Sequence, residues 1–153
     1  VISLLRFIRY ILPSMTMTDQ KSLVARGKVI RVDGQIVVFQ PSGTTYELHL
    51  ERAPGSTLPP IGVPTTGRVV VRARKVYTVP SGGNFISPIF GPPRIVQGRV
   101  RAADEKSIVL QAGTLIHVEL PSEADAIDLA NGPLTVGELA NVVCLPGASW
   151  ESA

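Results

Sequence analysis

Cysteine is almost absent: Cys144 is the only one in 153 residues, so no intrachain disulfide can form. It sits in the apolar run Asn141 to Leu145, which suits a small buried side chain. A reactive thiol needs a cationic or polar setting that this run does not offer. Aromatic residues are scarce at 5%, which counts against the stacking platforms of single-strand nucleic-acid binders. Acidic residues are scarce too over residues 1–101, with 4 Asp/Glu against 14 Lys/Arg; residues 102–153 reverse this, with 8 against 1. No apolar run is long enough to span a bilayer as a helix. The apolar stretch Val1 to Leu12 is too short and is broken by Arg6 and Arg9. No Ser/His/acid set, Cys/His pair or phosphate loop stands out; Gly82-Gly83 lacks the following Gly-Lys-Ser/Thr. The chain reads as non-enzymatic, without a cofactor, and cytoplasmic.

What the chain does have is the same β-unit twice. Ala25-Arg26-Gly27-Lys28-Val29 returns as Val96-Gln97-Gly98-Arg99-Val100. Val37-Val38-Phe39-Gln40 returns as Ile108-Val109-Leu110-Gln111, and Leu48-x-Leu50 as Val118-x-Leu120. The offset is 71 residues as far as Gln40 and 70 after it. Self-similarity of this kind is a statement about architecture. Alternating apolar residues and turn signals such as Asp33-Gly34 predict short strands joined by tight turns.

The reading divides the chain into an extension over 1–24, a first β-unit over 25–79, a connector over 80–94 and a second β-unit over 95–150. Residues 1–14 read either as an extension upstream of the natural start or as a short amphipathic membrane-surface helix. A short helix is predicted over 122–130, with Ser122 as N-cap and Asn131-Gly132 as its end. Glu138 to Leu145 is the last predicted strand, with Pro146-Gly147 closing the regular structure. The fold class is all-β. Two arrangements fit: tandem small barrels of the oligonucleotide-binding or SH3-like kind, or one fused pseudo-twofold barrel or sandwich. Three strands, an irregular connection and a further long strand over 25–150 resemble a pared-down oligonucleotide/oligosaccharide-binding fold, in pattern alone.

Three constellations carry the functional expectations. Arg68, Arg72 and Arg74 share one face of a long strand, Arg26 and Lys28 one face of the first strand, and Arg99 and Arg101 one face of the fifth. Together these would form a basic groove for a phosphate backbone, against the plainer reading of solvated or acid-paired arginines. The connector carries Asn84, Phe85, Ile86, Ile89, Phe90 and Arg94; its apolar residues pack between the units or form an interaction loop. Glu47 with His49, and His117 with Glu119, are weak candidates for a metal site. The leading function is a binding or assembly module working through a protein partner or self-association, with its oppositely charged halves pairing between copies. The alternative is nucleic-acid binding through the arginine-rich faces.

Overall fold

The computed structural model describes residues 20–153; the extension expected over residues 1–14 lies outside them. The described chain is all-β. Its strands are β1 (Ala25–Asp33), β2 (Ile36–Pro41), β3 (Glu47–Arg52), β4 (Thr65–Thr78), β5 (Phe85–Ser87), β6 (Phe90–Gly91), β7 (Ile95–Ala103), β8 (Ser107–Gln111), β9 (Leu115–Glu119), β10 (Ile127–Asp128), β11 (Leu139–Cys144) and β12 (Ser149–Ser152). All belong to one mixed sheet.

The turn after Asp33 forms as its residues dictate, with Gly34 at φ +61° between paired Asp33 and Ile36. β1 alternates buried and exposed side chains along its first half, as a strand with one wet face must. β4 is uninterrupted over 14 residues, about 45 Å of extended chain. That length lets it serve two sets of neighbours.

One ring of pairings runs β1–β2–β3–β12–β4 and back to β1. Within it β12 is parallel to β3 and antiparallel to β4. A second runs β4–β11–β7–β8–β9 and back to β4, with β9 parallel to β4. The two rings therefore share β4. Their apolar residues form one buried cluster, from Val29, Phe39 and Trp150 to Val100, Leu110 and Val142. Burying each large side chain contributes roughly 1.5–3 kcal/mol.

Local irregularities recur at matched places. The β1–β2 ladder slips between Val29 and Arg31, and the β7–β8 ladder between Val100 and Ala102, each position 71 residues on. Gly27 packs against the Gln40 carbonyl, and Gly98 against the Gln111 carbonyl. The third strands correct the sequence match. His49 pairs with Val38, and His117 with Val109. The histidines therefore match each other, and Glu51 matches Glu119; the sequence alignment had set His49 on Glu119. The cause is the turn before the strand, which is three residues shorter in the second stretch.

Two further expectations are corrected. The predicted helix over 122–130 is only a 3-10 turn, Ala124–Ala126, with no side-chain cap and no buried residue. Without an apolar face it has nothing to pack against, and Ile127–Asp128 joins β4 as β10. Regular structure also continues past Pro146-Gly147. Gly147, at φ +100°, re-aims the chain so that β12 follows β11 along β4. Among the described residues no helix is long and apolar enough to cross a membrane.

Candidate functional site

The connector is anchored. β5 pairs with β7, and β6 with β3. Gln97 donates from Nε2 to Gly83 O at 2.9 Å, and Ile86 N–H donates to the Tyr46 hydroxyl at 3.2 Å. Only part of its apolar content is core. Ile86 is buried, whereas Phe85, Ile89 and Phe90 are 37%, 61% and 58% exposed. Asn84 and Arg94 are exposed as well. Packing between the two rings therefore accounts for Ile86 alone among these four. Phe90 lies over the outer face of the first ring: its ring meets His49 edge-on at 4.7 Å, and the Arg31 guanidinium stands 6.0 Å from its centre. Beneath it, His49 Nε2 is buried without a hydrogen-bond partner among the described residues.

Beside this contact opens a cavity of about 810 Å³. Ile36, His49 and Glu51 come from the face of β2 and β3, Arg74 from β4, and Arg94 and Leu145 from the connector end and the β11–β12 link. Cys144 also lines it. Burial pushes the Cys144 thiol up to about 12. It stays protonated at neutral pH and is no nucleophile.

The matched place on the second ring is nearly closed, at about 120 Å³. There His117 donates from Nε2 to Leu23 O at 2.6 Å, and the Ser107 hydroxyl lies 2.9 Å from Gln20 Oε1. Arg68 bridges to Glu151 at 3.2 Å and donates to Lys21 O and Ser152 O. Burial lowers the His117 pKa below its usual value, opposed by the bond to Leu23. The unfolded chain therefore takes up the proton more readily. Stability is full above about pH 6.5 and falls as the pH drops below it. Urea unfolding across that range should show this slope, and His117→Gln should flatten it; an unchanged slope would contradict it.

Four of the seven basic side chains have partners within the fold. Arg68 is spent on Glu151 and two carbonyls. Arg72 donates to Pro146 O at 3.0 Å, Arg99 to Gly137 O at 3.2 Å, and Arg101 to Gln111 Oε1 at 3.4 Å. Arg26 and Lys28 stand exposed on β1, which shares no ladder with β7. The weak metal candidates are apart: His49 lies under Phe90 and His117 against Leu23, and Glu47 and Glu119 join neither in a cluster. No group of three or more His, Cys, Asp or Glu side chains comes together among the described residues. Sequence reasoning missed Trp150, Ile36 and Leu145; lone apolar residues beside turns gave little signal.

Compared with known proteins, the chain matches no family model, no curated protein and no solved structure.

Proposed function

We propose that this protein is a non-enzymatic binding and assembly module, built on a duplicated unit of oligonucleotide/oligosaccharide-binding type, that works through protein–protein contacts. The observation that carries the reading is the pair Ile89 and Phe90, held largely exposed on an otherwise anchored connector. Adjacent large apolar side chains in water are costly, and a pinned loop cannot fold them away. A protein surface that covers them removes that cost. The opposite charges of the two parts of the chain favour head-to-tail contact between copies. The duplicated-unit reading is supported by the ring in which a fifth strand lies parallel to the third and antiparallel to the fourth, an arrangement of the oligonucleotide-binding kind, and by the slips and close glycines that recur 71 residues apart.

Sedimentation velocity of the full chain at several salt concentrations tests this. Self-association should weaken as salt rises, and Phe85→Ala with Phe90→Ala should abolish it. The same double variant should shift stability by no more than about 0.5 kcal/mol per site, because both rings are exposed. Association unaffected by the double variant would sink the proposal. Nucleic-acid binding is the second reading, favoured by Arg26 and Lys28, exposed on β1 and without side-chain partners among the described residues. Anisotropy of a labelled single-stranded oligonucleotide separates the two: saturable binding that falls log-linearly with salt would put the second reading first.

A further inference from the structure

We infer that the cavity on the first ring is a binding site for a small monoanionic ligand with an apolar body, a carboxylate held between Arg74 and Arg94. This goes beyond the assembly reading and stands or falls separately from it. The inference begins with the two matched places on the rings. On the second ring the space is closed from within. Ser107 reaches Gln20, His117 reaches Leu23, and the cross-strand pair Arg68 and Glu151 neutralise each other.

On the first ring the histidine is kept as His49, but the other closing side chains are replaced. Ile36 stands where Ser107 stands, so the floor is apolar. By strand register Val143 takes the place of Arg68 and Arg74 that of Glu151, so an arginine and an apolar side chain line the cavity where the second ring has a salt bridge. Pro92 and Pro93 wall the same space and offer no N–H to fill it. The result is an opening of about 810 Å³ in place of about 120 Å³. Its size and mainly apolar walls are those of a small-molecule site.

The charge pattern chooses the ligand. Arg74 and Arg94 both line the cavity, and neither side chain has an ion pair or hydrogen bond among the described residues. Glu51 is the one carboxylate among the lining residues, and it is not bridged to either arginine. Arg74 also borders a neighbouring groove beside Glu119 and Glu123, again without an ion pair. Two guanidiniums against one carboxylate leave room for a single negative charge. Guanidiniums next to an apolar wall favour a carboxylate through charge-assisted hydrogen bonds.

The test titrates the full chain calorimetrically with decanoate and, separately, with decanol, both below the concentration at which they aggregate. Decanoate should bind at one saturable site, about tenfold or more tighter than the neutral alcohol of the same length. Arg74→Gln together with Arg94→Gln should erase that preference while leaving the circular dichroism spectrum unchanged, since both side chains are exposed. Arg74→Lys with Arg94→Lys should keep most of it. Decanoate binding should survive Phe85→Ala with Phe90→Ala, which removes the apolar surface outside the cavity. Absence of saturable decanoate binding overturns the inference. So does equal affinity for the two ligands, a preference that persists in the double glutamine variant, or loss of binding with the phenylalanines.

Discussion

Trp150→Ala should cost about 3–5 kcal/mol of stability, the range for removing a fully buried large aromatic side chain. The indole is buried completely and packs on Phe39, with ring centres 4.9 Å apart and planes at 37°. Gly67 on β4 has no side chain because the indole lies directly against its Cα. The neighbours that would have to collapse into the space belong to hydrogen-bonded strands, so the cavity would stay open. Trp150 also sits on β12, the strand joining β3 to β4. Losing its anchor therefore loosens the closure of the first ring as well as its packing. Against a typical total of about 5–15 kcal/mol, the loss is a large share. Urea unfolding followed by circular dichroism measures it, because the chain's only tryptophan is gone in the variant. A loss under about 1 kcal/mol would contradict the packing described.

Gly27→Ala and Gly98→Ala should each cost about 3 kcal/mol, the upper part of the range for overpacking. A methyl group on Gly27 would press into the Gln40 carbonyl and stand 2.8 Å from Phe39 Cζ and 2.9 Å from Pro41 Cα. On Gly98 it would press into the Gln111 carbonyl and stand 3.0 Å from the Ala112 methyl. The obstacle in both cases is backbone held in a ladder, which cannot swing aside as a side-chain tip can. Because the two sites match so closely, the two losses should be similar. Chemical denaturation of the single variants checks this, and a tolerated alanine at either site would break the correspondence.

Most of the β character was legible from alternation and turn chemistry. Asp33-Gly34 marked its turn, β1 follows from residues whose faces alternate, and β2 and β8 from short apolar runs buried on both faces. The glycines at 27 and 98 were visible as repeats, though their reason, a carbonyl in contact, was not. The third strands were misaligned because sequence similarity rewarded Leu48 against Val118, whereas pairing depends on turn length. β12 was missed because Pro146-Gly147 reads as an ending when only local signals count; the positive φ of Gly147 turns it into a bend. The cavity was not legible at all. Ile36, Arg74 and Arg94 lie on separate elements, and only the pairing of β4 with strands from both stretches brings them together. Nor could the sequence show that four of the seven basic side chains, Arg68, Arg72, Arg99 and Arg101, have carbonyl, amide or carboxylate partners within the fold.

The path of β12 has a consequence for how the protein is made. A ribosome delivers β1, β2, β3 and half of β4 early, but the strand that completes their ring is encoded at residues 149–152. Until those emerge, Glu51 and Arg52 of β3 and residues 67–70 of β4 lack the strand that joins them, and the bed for Trp150 lies open. Of the two rings, the one whose strands are synthesised first is thus the last to be sealed, and it must be kept from pairing with neighbouring nascent chains throughout that wait.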